Sequence, residues 1–98
     1  MKFKVLKEAR DQFRTQDTWW RQNRDATTLF VEEFLAALDQ LTAAPEAGAI
    51  YIRRRERTIR RWPMPKTNCH IYYRYDRESE CVIIYSVWSA RRGHGPKV

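Results

Sequence analysis

The sequence has 98 residues, of which 43% are hydrophobic and 32% charged, and its formal net charge is +7. This length allows one domain with one core, over residues 1–98, and this balance excludes an intrinsically disordered chain. No apolar run reaches the roughly 20 residues of a membrane span, and the N-terminus lacks the apolar segment of a secretory signal, so we expect a cytoplasmic protein that does not bind membranes.

The first elements along the chain are a short strand and a long helix. Lys2–Leu6 alternates polar and apolar residues, which is typical of a strand. Residues 7–24 contain neither Gly nor Pro, and Ala9, Phe13 and Trp20 recur at helical spacing. These residues therefore predict a first helix with one apolar face.

A second helix is predicted over Leu29–Ala43. Its apolar stripe consists of Phe30, Val31, Phe34, Leu38 and Leu41. Thr27 or Thr28 is the expected N-cap, and Pro45 and Gly48 end the helix. Because the connection to the first helix is short, the two helices are expected to form an antiparallel hairpin.

The second half of the chain predicts strands. The four runs with strand composition are Ala49–Arg53, Thr58–Trp62, Cys69–Tyr75 and Cys81–Trp88. Pro63 is expected to end the second of them, and residues 91–98 read as an irregular basic tail. The fold class is therefore α+β, in the order β-α-α-β-β-β-β, with the helical hairpin packed on one face of a mostly antiparallel sheet.

The last two strands are expected to form a hairpin about the polar turn Asp76–Ser79. Such a hairpin places Cys69 opposite Ser86 rather than Cys81, so two reduced cysteines are favoured over a disulfide. Trp62 and Trp88 are most simply explained as core residues of the sheet. The cysteines and histidines show no ligand spacing, so we expect no metal and no cofactor.

Positive charge is concentrated in the second half of the sequence. Residues 51–98 carry twelve Lys and Arg against four Asp and Glu, whereas residues 1–50 carry seven against eight. Six of these cations lie between residues 53 and 61: Arg53, Arg54, Arg55, Arg57, Arg60 and Arg61. They either keep an edge strand solvated or form a binding surface for phosphates or carboxylates. An anionic macromolecule is the partner that this asymmetry favours.

Several segments, in order, resemble the RelE/ParE toxins of type II toxin–antitoxin systems. They are WWRQNR (residues 19–24), FVEEFLAALDQL (30–41), PEAGAIY (45–51), IRRW (59–62), HIYYRYD (70–76) and VWSARRGHGP (87–96), and together they span about four fifths of the chain. The resemblance implies a growth inhibitor that is neutralised by an antitoxin. RelE-like members of the family cut messenger RNA in the ribosomal A site, whereas ParE-like members inhibit DNA gyrase and are not nucleases.

The nuclease branch implies a set of basic residues that this sequence matches only in part. Arg61 matches the first of two basic residues on one strand, and Pro63 replaces the second. His70 stands where an Arg opens the next strand, and Arg91 matches the Arg that follows the last strand. The tail has no tyrosine, so His94 is the remaining candidate for the acid.

Two further side chains have alternative readings. His70 is expected to project with Tyr72 and Arg74 on one face of its strand, either as a catalytic group or as a hydrogen-bonded structural histidine. Trp20 continues the apolar stripe of the first helix, so its neighbour Trp19 is expected to be partly exposed. Trp19 then either contacts an antitoxin helix or covers the edge of its own domain.

We therefore predict a ParE-like toxin that acts through protein contacts on DNA gyrase and is masked by an acidic antitoxin, with no small-molecule substrate. The residues expected to bind the target or the antitoxin are Arg53, Arg54, Arg55, Arg57, Arg60, Arg61, Arg74, Arg91, Arg92 and Trp19. The alternative is a ribosome-dependent mRNA endonuclease that uses Arg61, His70, Arg91 and His94. A third reading, a small basic nucleic-acid-binding module, is less favoured because the helices offer no obvious recognition helix.

Overall fold

A computed structural model describes residues 2–98, and its element order confirms the predicted fold class. The elements are β1 (Lys2–Val5), α1 (Lys7–Asn23), α2 (Leu29–Ala43), β2 (Ala49–Arg54), β3 (Arg57–Met64), β4 (Cys69–Asp76), β5 (Cys81–Ser89) and a 3₁₀ turn (Ala90–Arg92). The bounds of α2 agree with the prediction at both ends. Thr28 is its N-cap, although its side chain makes no capping hydrogen bond.

The five strands form one sheet in the order β1-β5-β4-β3-β2. All neighbours are antiparallel except β1 and β5, which run parallel with Lys2 opposite Cys81 and Val5 opposite Ile84. The first strand of the chain therefore pairs with the last one, and β2 lies at the opposite edge.

The two helices cover one face of the sheet and enclose the core with it. Ala9 of α1 and Phe30 of α2 are fully buried there, together with Ile71 and Tyr73 of β4. The ring of Phe13 lies 5.1 Å from that of Phe30 and so joins the two helices. The apolar stripes read from the sequence are thus the surfaces that the hairpin packs against the sheet.

A polar contact connects α1 to the C-terminal part of β5. The pairing of β1 with β5 ends at Ile84, so β5 has no strand on that side beyond this residue. The side-chain oxygen of Gln12 accepts hydrogen bonds there from the Ser86 hydroxyl and the Val87 amide, both at 2.8 Å. Gln12 therefore takes the place of a strand partner for this part of β5.

A second polar contact fastens α2 to the turn between β3 and β4. The Glu33 carboxylate accepts hydrogen bonds from the Lys66 amide at 2.7 Å, the Thr67 amide at 2.9 Å and the Thr67 hydroxyl at 2.6 Å. Thr67 is buried. This carboxylate satisfies three donors of one tight turn and fixes the turn against the helix.

Two details of the sheet differ from the sequence prediction. β3 does not end before Pro63 but continues to Met64, with Pro63 opposite His70. The pairing of β2 with β3 starts at Arg61, so beyond it β3 is an edge where a missing amide proton costs little. Cys69 lies opposite Ser89, not Ser86, because the turn covers residues 77–80 and a bulge shifts the register. Both cysteines are free and buried.

Candidate functional site

The face of the sheet opposite the helices collects many of the cations. Ile71 and Tyr73 belong to the core under the helices, so strand alternation places His70, Tyr72 and Arg74 on the other face, as predicted. Cross-strand pairing adds further residues to that face, which we call the open face. It comprises Lys4 of β1, Arg54 of β2, Arg57 and Arg61 of β3, His70, Tyr72 and Arg74 of β4, and Tyr85 and Trp88 of β5.

Arg61 stands opposite Tyr72 on the open face, and its charge affects the pKa values of His70 and Tyr72. Partial burial and the charge of Arg61 lower the pKa of His70, so its imidazole is neutral at pH 7. Burial raises the pKa of Tyr72, and the hydrogen bond and charge of Arg61 offset this only in part. The ring of Tyr51 packs edge-on against that of Tyr72 with their centroids 4.7 Å apart.

Arg57 and Arg74 converge on the hydroxyl group of Tyr85. The Arg74 Nε donates to this oxygen at 3.4 Å, and the Arg57 guanidinium lies 5.6 Å from the ring centroid. Burial by itself raises the pKa of Tyr85, but hydrogen bonds and charge from the two guanidinium groups outweigh it, so that the pKa is lowered. Tyr85 lies at the bulge that the sequence did not reveal, opposite the step from Tyr72 to Tyr73.

The segment that follows β5 folds back over the open face. The indole Nε1 of Trp88 donates to the His94 carbonyl at 2.7 Å, and the Tyr51 hydroxyl donates to the Pro96 carbonyl at 3.1 Å. The guanidinium of Arg92 lies over the Trp88 ring at 4.1 Å. The tail is irregular, as expected, but it is packed, and Pro96 is buried. Trp88 therefore lies on the open face and not in the core, and that part of the prediction was wrong.

The four residues of the nuclease alternative are only partly brought together. Arg61 and His70 share the open face, and His94 packs against Trp88, the cross-strand neighbour of His70. Arg91 lies apart on the helix side, where its guanidinium is 5.6 Å from the Trp19 ring.

Trp19 itself sits in a small groove of about 220 Å³ at the junction of α1, β5 and the turn between β3 and β4. Trp20 packs against the core and Trp19 is partly exposed, which agrees with the prediction. Arg24 lies 5.0 Å from the Trp19 ring, so Trp19 carries guanidinium groups on it from two segments of its own chain.

Seven arginines, three of them also on the open face, line an open cleft of about 700 Å³ between the tip of the β2–β3 hairpin and the end of β4. Pairing between β3 and β4 covers only Arg60–Met64 and Cys69–Tyr73, so the two strands are unpaired beyond Arg60 and Tyr73. We call this gap the arginine cleft; its cations are Arg53, Arg54, Arg55, Arg57, Arg60, Arg74 and Arg77.

Two arginines of this cleft share one acid. Glu46 accepts two hydrogen bonds from Arg77, the shorter at 2.7 Å, and lies 3.6 Å from Arg60. Within the described part of the chain, Arg60 is the one member of the 53–61 cluster that forms a salt bridge. The other five guanidinium groups keep their charge free for a partner.

Two other features are absent between residues 2 and 98, a metal-binding cluster and a membrane-spanning helix. No three His, Cys, Asp or Glu side chains there lie close enough together to hold a metal ion. Neither helix is long and apolar enough to cross a bilayer.

Tyr51 and Tyr85 are the side chains of this region that the sequence did not single out. Each stands at an irregularity in its strand, and the amino-acid pattern carries no signal for either bulge. Their roles depend on contacts with residues far away in sequence, in the tail and in β3 and β4.

Comparison with known proteins gives one match. The family model for the ParE toxin of the type II toxin–antitoxin system parDE matches residues 3–93. No curated protein and no solved structure matches the chain.

Proposed function

The chain belongs to the ParE toxin family of type II toxin–antitoxin systems, and from this premise we propose that it inhibits DNA gyrase through protein contacts until a cognate antitoxin neutralises it. The family makes it the toxin component of such a system. The gyrase target, the acidic character of the antitoxin and a cytoplasmic site of action are the parts that we propose.

The position of Arg91 is the observation that favours gyrase over messenger RNA as the target. Cleavage of RNA without a metal needs a base, an acid and cations around one phosphate. Arg91 lies against Trp19 on the helix side, whereas Arg61 and His70 lie on the open face. Pro63 moreover occupies the position of a second basic residue. Because these basic residues lie on two different sides of the molecule, they favour a protein-binding surface over a nuclease active site.

For the target we propose the open face together with the tail, because both carry cations free of acidic partners. Arg54, Arg57, Arg61 and Arg74 contribute from the strands and Arg92 from the tail. Guanidinium groups bind carboxylates in a bidentate manner, so this surface suits acidic side chains on a protein target.

For the antitoxin we propose two contacts, the arginine cleft and Trp19. Five unneutralised guanidinium groups in residues 53–61 attract an acidic chain over distance. Trp19 lies in a groove beside the partly apolar end of α1, where a large aromatic residue can anchor a helix. Masking of these cations by the antitoxin would also block the target surface.

The mRNA endonuclease remains the second candidate because Arg61, His70 and His94 lie on the same side of the sheet. The lowered pKa of His70 leaves its imidazole neutral and able to accept a proton at pH 7. His94 packs against Trp88 next to it.

Two assays with the purified protein separate these functions. We expect inhibition of supercoiling and accumulation of cleaved DNA with gyrase, and no codon-positioned cuts when primer extension is run on translated mRNA. Arg61→Ala should weaken the effect on gyrase, and Arg10→Ala, an equal loss of charge on the exposed side of α1, should not. Codon-positioned cuts that disappear in His94→Ala or Arg61→Ala would replace gyrase by mRNA as the target.

A further inference from the structure

Two guanidinium groups from different strands and one hydroxyl meet on the open face. Arg57 belongs to β3, Arg74 to β4 and Tyr85 to β5. The Arg74 Nε lies 3.4 Å from the Tyr85 oxygen, and the Arg57 guanidinium lies 5.6 Å from the Tyr85 ring centroid. These three groups are absent from the set that the nuclease alternative uses, and the protein contacts proposed above do not require their convergence.

The Tyr85 hydroxyl keeps its proton available for a ligand. A guanidinium has donors and no acceptor, so Arg74 can only donate to the tyrosine oxygen. The hydroxyl hydrogen must then point elsewhere, and no acceptor for it lies within hydrogen-bond distance among the described residues. The group is therefore a free donor flanked by two positive charges.

The nearby acids do not neutralise the two arginines. The Asp76 carboxylate is engaged in its own turn, where it accepts from the Glu78 amide at 3.1 Å and the Ser79 hydroxyl at 2.9 Å. Neither Arg57 nor Arg74 forms a salt bridge in the described part of the chain. Two partly buried guanidinium groups that lie close together and form no salt bridge make a surface point that suits an anion.

Neighbouring residues add to the positive potential of this point. Arg54 lies directly opposite Arg57 on β2, and Lys4 of β1 is in register with Arg74 through Ile83. Because β3 and β4 are unpaired beyond Arg60 and Tyr73, the gap between them leaves room for a small group.

We propose that Arg57, Arg74 and the Tyr85 hydroxyl form a phosphate-binding site. The donors come from three strands and so approach one point from different directions, which suits the tetrahedral oxygens of a phosphate. A planar carboxylate is satisfied by a single guanidinium fork and gains less from such an arrangement. The phosphate belongs either to a nucleic-acid backbone or to a free phosphate compound, and the chemistry of recognition is the same.

The test is an NMR titration of the full chain, which follows the Nε–H signals of Arg57 and Arg74. Inorganic phosphate is the first probe, a short DNA duplex the second and polyglutamate the third. The variants are Tyr85→Phe, which removes only the hydroxyl, and Arg74→Lys, which keeps the charge but loses the fork. Arg10→Ala, which removes a positive charge from an exposed position of α1, is the control for a general loss of charge. Circular dichroism verifies that each variant is folded.

Inorganic phosphate should shift both Nε–H signals in a saturable manner. We expect Tyr85→Phe and Arg74→Lys each to weaken this binding about tenfold, since each removes a hydrogen bond to a charged ligand. Arg10→Ala should leave it unchanged. If the duplex shifts the same signals and phosphate competes with it, the site binds a nucleic-acid backbone, and its affinity should fall steeply between about 50 and 200 mM salt. If phosphate binds and the duplex does not, a free phosphate compound is the ligand.

The proposal is wrong if phosphate leaves the two signals unshifted, or if Tyr85→Phe binds phosphate as well as the unaltered chain does. It is equally wrong if polyglutamate saturates the site and phosphate does not, because the surface is then one for acidic protein segments. The titration contains neither gyrase nor ribosomes, so a failure to bind phosphate overturns this site alone, and the gyrase assay tests the proposed function separately.

Discussion

The hydroxyl group of Tyr51 donates a hydrogen bond to the carbonyl oxygen of Pro96 at 3.1 Å, across 45 positions of sequence. Together with the Trp88–His94 bond, this contact holds the tail across the sheet from β5 to β2. It shields Tyr72, which is 2% exposed although it lies on the face without helices. The tail thus covers a second, smaller buried layer, which lies on the face of the sheet opposite the helices.

Gly95→Ala should detach this tail. A Cβ at this position would overlap the hydroxyl and ring of Tyr51, so either the tail or the Tyr51 side chain must move. We expect a loss of about 1–3 kcal/mol in the free energy of unfolding and faster hydrogen exchange at the Trp88 indole. Lys97→Ala, in the same segment but exposed, is the control. An unchanged exchange rate in Gly95→Ala would mean that Tyr51 moves aside and that its contact does not hold the tail in place.

Glu33→Ala should destabilise the protein far more than Glu32→Ala. Glu33 accepts three hydrogen bonds from Lys66 and Thr67, and its loss leaves the buried Thr67 without an acceptor. Glu32 is an exposed residue of the same helix turn. We expect a decrease of about 2–3 kcal/mol for Glu33→Ala in urea denaturation and less than about 0.5 kcal/mol for Glu32→Ala. Equal effects would show that the contact adds little.

Gln12→Ala should loosen β5 beyond its pairing with β1. The Ser86 hydroxyl and the Val87 amide both lose their acceptor, and both residues are buried. The expected cost is about 1–3 kcal/mol, with faster hydrogen exchange of the Val87 amide. Gln22→Ala, an exposed position of the same helix, should have neither effect. A Val87 amide that remains protected in Gln12→Ala would contradict the assigned role of Gln12.

The Cys69 thiol should be unreactive in the folded protein. Burial raises its pKa from 9.0 to about 11, so the nucleophilic thiolate is scarce at neutral pH. We expect iodoacetamide to alkylate Cys69 at pH 8 only after the chain is unfolded, as measured by mass spectrometry. Rapid alkylation of the native protein would contradict this burial.

The raised pKa of Cys69 makes the free energy of unfolding depend on pH in the alkaline range. The unfolded chain loses the thiol proton first, so the stabilisation is complete below pH 9 and is lost as pH rises through about 11. The Cys69→Ala variant lacks this pH dependence. Burial also raises the pKa of Tyr73, but this affects the stability of the unaltered chain and of the variant equally. The difference in unfolding free energy between the two proteins should therefore shrink between pH 9 and 11.

Local sequence signals predicted the elements well and their irregularities poorly. The end of α2 follows from Pro45, which directly follows its C-cap, whereas Thr28 marks the start of the helix without a capping hydrogen bond from its side chain. The length of β3 was misjudged because a proline is tolerated where a neighbouring strand has ended, and that depends on where β2 begins. The bulge at Tyr85, which shifts the β4–β5 register, likewise leaves no mark in the composition of either strand.

For the candidate site, alternation along β4 was enough to place His70, Tyr72 and Arg74 on one face. The sequence could not predict that Arg91 lies against Trp19 or that the tail covers the sheet, because these contacts join segments distant in sequence. Arg60 was grouped with its neighbours by density of charge alone, although Glu46 and the Gly48 carbonyl hold it on the helix side.

The parallel pairing of β1 with β5 has a consequence for synthesis of the protein. Residues 2–5 are made well before their partners at 81–84, because both helices and three strands lie between them in the sequence. The pairing of β1 with β5 thus cannot form on a nascent chain until residues 81–84 have left the ribosome, and contacts of such long range form slowly. The toxin therefore gains its complete sheet only late in its synthesis.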